Sequence, residues 1–260
     1  MQKSTCVITF FYPGIEKKIV KFIKSLQSQS DKNFDLIIYF NNKKNFILPK
    51  NNFKIKMNFL NTSIIKSRFK MIKDLKNTKY KYIIFQDADD LMKKNRVEVC
   101  KKLLKKRELV INDLDIFGAY KLKKYFSKRI RNFQIISMTD ISNYNFLGMS
   151  NTSIRSDCLK NINIPTNLKI KIFDWYFWTI ILSKYKAIFT NLTSTKYYTR
   201  KTSPTCLPFY ENRNNRLLKN RVKKTHLKEI SKLIESKKIK NFYVSKKKII
   251  VNNKYNFWWE

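Results

Sequence analysis

The chain has 260 residues, 43% of them hydrophobic and 15% aromatic, with three glycines and five prolines. This length and apolar content fit one large or two small packed domains, and they exclude a disordered, collagen-like or linker-rich protein. Its 56 Lys and Arg against 18 Asp and Glu, a formal charge of +38, leave two readings. One is a polyanionic partner, either nucleic acid or an anionic membrane surface; the other is the Lys-, Asn- and Ile-rich usage of AT-rich coding sequence, which the even spread of the charge favours.

The first half alternates strand and helix signals. Residues 6–12 are a continuous apolar run, as in a strand buried on both faces, and Pro13-Gly14 breaks it. Residues 16–29 place Ile19, Phe22, Ile23 and Leu26 on one helical stripe. A second apolar run, 36–40, ends at Asn41-Asn42, and 54–60 alternate as a half-buried strand. Residues 64–76 return to helical spacing through Ile65, Phe69, Ile72 and Leu75; 82–85 form the next strand, and Val97, Cys100 and Leu104 mark a further helix. Such β-α-β alternation implies an α/β fold: a mainly parallel, doubly wound sheet with helices on both faces.

The second half is less regular. Residues 116–120 read as a strand, 121–135 as a basic, aromatic connection, and 146–154 as a strand or turn region. Residues 173–184 have the spacing of a helix with Trp175, Trp178 and Leu182 on one side, and 187–192 and 194–200 read as two strands. Beyond Pro208 the composition shifts: 211–240 mix Leu217, Leu218, Val222, Leu227, Ile230 and Leu233 with many cations, the pattern of an amphipathic helix. With Trp258-Trp259 at the end, this extension either lies against an anionic membrane surface or packs its leucines on the rest of the chain.

Cys6, Cys100, Cys158 and Cys206 are far apart, no CxxC pair occurs, and His226 is the one histidine. A zinc site is therefore not expected, and buried reduced thiols are. The start of the chain runs directly into a strand without the long apolar region of a signal peptide, and no apolar run reaches membrane-span length. The expected place of work is the cytoplasm.

The acidic run Asp87-Ala88-Asp89-Asp90 directly follows the strand at 82–85. Ligands of open parallel sheets bind beyond the carboxyl ends of the strands. Carboxylates crowded there repel one another and lose hydration, costs that a hard divalent cation relieves while it also holds a diphosphate. A D-x-D tripeptide is otherwise equally an N-capped loop. A second one, Asp113-Leu114-Asp115, is expected to precede its strand and to lie at the wrong end of the sheet. Asp174, at the start of an aromatic helix, is either an N-cap or a proton acceptor for an attacking hydroxyl. Residues 196–205, with Arg200, are cations and hydroxyls of a kind that covers a diphosphate, or a solvated basic loop.

In order and spacing these features resemble a family 2 glycosyltransferase with the GT-A fold, over roughly residues 4–205. The matching pieces are the opening strand and helix ending in Ser25-Leu26-Gln27-Ser28-Gln29; the helix at 64–72 with Arg68; the strand ending in Gln86-Asp87-Ala88-Asp89-Asp90; Phe173-Asp174-Trp175; and 198–205. The resemblance implies a GT-A domain at 1–205 and a basic, partly helical extension at 206–260. It implies an inverting hexosyltransferase that uses a nucleotide-sugar donor, Mn²⁺ or Mg²⁺, and a glycan or lipid-linked acceptor. Asp87 would contact the nucleoside or sugar, Asp89 would ligate the metal and Asp174 would be the catalytic base. Arg68 and Arg200 would bind the donor, with Asn41 at the base-binding position and Ser150 and Asn151 in the sugar pocket.

Three positions depart from the family: Asn41-Asn42 where it often has aspartate, Phe173 where it has glutamate, and Thr202 where a histidine often helps hold metal. Two rivals are a nucleic-acid-binding basic protein, which leaves carboxylates at a strand end unexplained, and a noncatalytic GT-A-like scaffold.

Overall fold

A computed structural model describes residues 3–41, 47–142, 145–164, 170, 172–199, 213–236 and 239, the side chains of Asn41 and 213–219 excepted. Its elements in chain order are β1 (Thr5–Phe11), α1 (Glu16–Gln27), β2 (Asp35–Asn41), β3 (Ile55–Leu60), α2 (Ile64–Lys76), β4 (Tyr82–Phe85), β5 (Leu91–Met92) and α3 (Arg96–Leu104). After these come β6 (Leu109–Gly118), β7 (Ile135–Ile136), a 3-10 turn (Met138–Ile141), β8 (Thr152–Arg155), α4 (Asp157–Lys160), α5 (Phe173–Leu182), β9 (Ala187–Thr199) and α6 (Arg213–Glu235). The described strands form one sheet in the order β3-β2-β1-β4-β8-β6-β9-β5, with β7 paired to β9.

The sheet is α/β and mostly parallel on its amino-terminal side, as expected. β1 pairs in parallel with β2 and β4, and β2 with β3. β1, β2 and β4 are apolar on both faces, because helices cover both, whereas β3, at the edge of the sheet, is only half-buried. Val7, Phe11, Leu36, Ile38, Tyr82 and Ile84 pack beneath α1 and α3, through Ile19, Phe22, Leu26, Val97 and Leu104. Their neighbours in sequence, Cys6, Ile8, Ile37, Tyr39, Ile83 and Phe85, pack on the opposite side beneath α2 and α5. The continuous apolar runs follow from this two-sided burial.

Two readings of the second half are corrected. Asp113 and Asp115 do not precede their strand: β6 begins at Leu109 and carries both acids along its length. Asp113 is buried, with Oδ1 accepting from the backbone N–H of Leu114 (2.8 Å) and Phe126 (2.7 Å), and Oδ2 from Ser127 Oγ (2.5 Å). It pins the basic connection onto the sheet, seating Tyr125 and Phe126 in the core. Next, 187–192 and 194–200 are not two strands but one, β9, whose register against β6 shifts at Asn112/Asp113. A β-bulge of this kind reverses the inside-outside alternation, which in sequence looks like a break. Within the stretch 146–154, read as a strand or turn region, β8 enters the centre of the sheet antiparallel to both β4 and β6.

Cys6, Cys100 and Cys158 are buried free thiols; Cys206 lies outside the described residues. No helix among the described residues is long and apolar enough to cross a membrane. The described face of α6 is packed: Ile230, Leu233 and His226 are buried, and the first two join the core shared with α2 and α5. Burying each such aliphatic side chain is worth about 1.5–3 kcal/mol. A helix seated this way does not offer that face to a headgroup layer, while Arg221, Lys224 and Lys228 point outward. Leu217, Leu218 and Trp258-Trp259 lie outside what is described.

His226 stacks on Trp175 of α5, with ring centroids 3.9 Å apart and planes within 12°. Burial pushes its pKa down to about 3. An unfolded histidine titrates near about 6.5, so this packing has its full stability above about pH 6.5 and loses it as pH falls toward 3. The loss is at most about 1.4 kcal/mol per pH unit. We expect the unfolding free energy to fall more between pH 7 and pH 5 in the native chain than in His226→Phe, which keeps a ring and lacks the charge. Urea melts showing equal acid losses in both would refute this account.

Candidate functional site

From β1 the chain adds β2 and then β3 on one side, and then returns to place β4 on β1's other side. The strand order therefore reverses between β1 and β4, and the crevice beyond their carboxyl ends is where an open α/β sheet takes its ligand. Asp87 to Asp90 follow β4 at this point.

Ser150 and Arg68 hold Asp87 from two sides. The Asp87 N–H donates to Ser150 Oγ (3.0 Å), and Ser150 Oγ donates to Asp87 Oδ2 (3.1 Å). Arg68, on α2, brings Nη2 to 3.9 Å from Asp87 Oδ1, while its Nη1 donates to Asp174 Oδ1 in the first turn of α5. One guanidinium thus bridges the acid after β4 and the acid opening α5, 106 residues from it. Burial pulls the Arg68 pKa down, but Asp174 and Asp87 outweigh it and the net shift is upward. Asp87 is pushed up to about 7, first by burial and then by Asp174 and Asp89, with Arg68 and Ser150 opposing.

Asp90 is buried, and its Oδ1 accepts from the Tyr198 N–H (2.7 Å), which ties the acidic turn to β9. Burial, then Asp89 and Asp87, drive its pKa well up. Asp89 faces the crevice from the middle of the turn, with Oδ2 3.6 Å from Lys18 Nζ. Behind the turn, Arg96 is fully buried. Its Nη2 donates to the Phe85 carbonyl (2.8 Å), Nε to Asn112 Oδ1 (2.8 Å) and Nη1 to Gln86 Oε1, clamping the end of β4. Burial lowers its pKa to about 10, so it remains a cation at neutral pH.

Of the expected site residues, the fold brings together Arg68, Asp87, Asp89, Asp174 and Ser150. Asn151 adjoins them, but its amide is engaged in its own loop. Oδ1 accepts from the Gly148 N–H (2.8 Å) and Nδ2 donates to the Phe146 carbonyl (3.1 Å), shaping the turn that presents Ser150. Asn41 ends β2, with its side chain outside the described residues, as are Arg200 and Thr202. Sequence reasoning missed Arg96 and Lys18. Neither has a local signature: both are basic positions near the start of a helix in a chain full of them.

Among the described residues, no three His, Cys, Asp or Glu are grouped so as to hold a metal ion by themselves. The donor chemistry nevertheless suits a hard cation. The carboxylates of Asp87 and Asp89 are partly exposed to the crevice, and Asp90 Oδ2 is buried with no hydrogen-bond partner. Mg²⁺-like ions commonly take one or two carboxylates and complete their shell with water and substrate phosphate. The residues present fit that pattern.

No family model matches the sequence, and no curated protein is significantly similar to it. Solved structures do share its shape. S. aureus TarS 1-349 in complex with UDP-GlcNAc aligns with TM-score 0.59 at 15% identity, over 76% of this chain and 59% of that one. A longer S. aureus TarS chain aligns with TM-score 0.57 at 16% identity, over 76% of this chain and 37% of that one. GalNAc-T7 with UDP, GalNAc and Mn2+ aligns with TM-score 0.54 at 10% identity, over 76% and 44%. The chain therefore spans less than two thirds of the length of each of these structures. At such identities the likeness carries the fold, and that fold is GT-A, the one the sequence resemblance implied.

Proposed function

We propose that the chain is an inverting glycosyltransferase, moving a hexosyl group from a nucleotide-diphosphate sugar to a hydroxyl of a glycan or lipid-linked acceptor, in surface glycan or lipopolysaccharide synthesis. The observation that carries this reading is the Arg68 bridge between Asp87 and Asp174 at the switch point of a GT-A sheet. It supports the reading by tying Asp174, as the base, to the carboxylate that follows β4. The similar structures support the donor class, since one is a complex with UDP-GlcNAc and another a complex with UDP, GalNAc and Mn2+.

In this reading the acceptor oxygen attacks the anomeric carbon. The bond from that carbon to the diphosphate oxygen breaks, and its electron pair leaves with the nucleotide. Asp174 takes the acceptor's proton, and a single displacement inverts the anomeric configuration. Arg68 fixes Asp174 relative to Asp87, so that base and donor contact share one frame. A divalent ion held at Asp89 would neutralise charge on the leaving diphosphate. The nucleic-acid reading gains nothing from this site, because its carboxylates repel phosphate unless a cation stands between.

Thermal shift with a panel of nucleotide sugars, with and without Mn²⁺, tests the proposal. Stabilisation is expected only when both are present, by about 2.7 kcal/mol at a hundredfold excess over Kd. A panel including UDP-GlcNAc and UDP-GalNAc that gives no metal-dependent shift, together with no metal-dependent hydrolysis of any donor, would overturn it.

A further inference from the structure

Thr195 touches no reacting atom in the proposed displacement, yet it stands at the root of the acidic turn. β9 delivers it there through the bulge. Asn112 of β6 pairs with Thr190, but Asp113 pairs with Ser194 and Leu114 with Thr195, so the bulge inserts Asn191, Leu192 and Thr193. A one-for-one count from Asn112 would set Leu192 opposite Leu114 instead. Leu192 is left outside, 48% exposed, and a hydroxyl is brought in where an apolar side chain would have stood. On its other edge Thr195 pairs with Met92 of β5, just after Asp90.

We propose that Thr195 is a positioning residue for the donor: through Ser150 it fixes the Asp87 carboxylate against which the nucleotide sugar binds. This deepens the donor reading above and rests on it. The first argument is a closed ring of hydrogen bonds. Thr195 Oγ1 donates to the Ser150 carbonyl (2.6 Å) and accepts from Asn112 Nδ2 (3.1 Å). Asn112 Oδ1 accepts from Arg96 Nε (2.8 Å), and Arg96 also holds the Phe85 carbonyl and Gln86 Oε1 at the end of β4. Ser150 closes the ring on Asp87, the residue after Gln86, by accepting from its N–H and donating to its carboxylate. Arg96, Asn112 and Thr195 are fully buried, and Gln86 and Ser150 nearly so. A buried network of this kind is rigid when complete, and removing one member leaves its neighbours' polar atoms unpaired at a cost.

The second argument is what the ring carries. It grips Asp87 by backbone and side chain together, whereas Asp89, outside it, meets Lys18. Thr195 should therefore govern the donor contact at Asp87 and leave metal capture at Asp89 alone. Packing by itself would be met by valine, which has threonine's shape without its hydroxyl; what threonine adds at this place is the two bonds of its Oγ1.

Two measurements on the full chain test this. The first needs no ligand: amide hydrogen exchange at Asp87, whose N–H donates to Ser150. Thr195→Val should speed it about ten-fold while the amides of β1 and β2 are unchanged, and Thr195→Ser should restore it. The second is calorimetry with UDP in the presence of Mn²⁺, and with Mn²⁺ alone. Thr195→Val should weaken UDP about ten-fold, and Thr195→Ser should bind it like the wild type. Mn²⁺ alone should bind all three within two-fold. If Thr195→Val does not fold, Thr195→Cys, whose thiol is a weak donor, takes its place. Asp87 exchange equal to wild type, UDP affinity within two-fold of it, or a parallel loss of Mn²⁺ affinity overturns the assignment; so does a Thr195→Ser protein as impaired as Thr195→Val. If any of these results comes with a wild type that binds UDP and Mn²⁺ together, only the role of Thr195 has failed. If the wild type binds neither UDP nor any nucleotide sugar with Mn²⁺, the donor reading has failed and the assignment with it.

Discussion

Asp174→Asn is expected to retain donor binding and to lose about 10²–10⁴-fold of sugar transfer, the usual cost of removing a general base. The substitution is nearly isosteric. Asparagine Oδ1 can still accept from Arg68 Nη1, the contact that locates this side chain now, so the bridge to Asp87 and the start of α5 should persist. What is lost is the capacity to take a proton. The result should be a fall in kcat with little change in the donor dissociation constant, which separates chemistry from binding. Transfer within a few-fold of wild type would place the base elsewhere. A parallel loss of donor affinity would show that Asp174 acts by holding Arg68.

Asp89→Ala is expected to remove the Mn²⁺-dependent part of donor binding while the protein still folds. Asp89 sits at the crevice face of the acidic turn, partly exposed and paired with Lys18. The buried scaffolding of the turn is carried by others: Asp90 on the Tyr198 N–H, Asp87 on Ser150, and Arg96 on the end of β4. Alanine there should leave the melting temperature within a few degrees. The stabilisation of about 2.7 kcal/mol expected from saturating donor and metal should disappear. An Asp89→Ala protein that binds Mn²⁺ and donor like the wild type would remove Asp89 from the metal site. One that fails to fold would assign it a structural part instead.

The sequence by itself determined the layers. Apolar runs at β1, β2 and β4 can be buried on both sides only in a sheet covered by helices on each face. Helical spacing in α1 and α2 set which stripe of each helix turns inward, whereas α5, read as having Trp175, Trp178 and Leu182 on one side, is buried on nearly every side. The acidic run after β4 was legible because it is local: an apolar strand, then carboxylates at its carboxyl end, where the topology forms a crevice. Arg68 and Asp174 could be named singly for the same reason, each by its place on its own element.

Only the tertiary structure decided which of these residues meet. Arg68 and Asp174 are 106 positions apart, and Lys18 and Asp89 come together only because the chain crosses over between β1 and β4. Asp113 read as a loop acid because nothing nearby in sequence satisfies most of its carboxylate; its partners at Phe126 and Ser127 arrive by a long connection folded back onto β6. β9 read as two strands because a bulge reverses inside and outside, and periodicity records only which face a residue takes. His226 entered the sequence reading only as the one histidine, counted against a zinc site, and its stack on Trp175 became visible once α6 was placed against α5. Side-chain patterning fixes local faces because burial acts residue by residue, whereas pairing across the sheet and between distant helices is chosen by the packing of the whole chain.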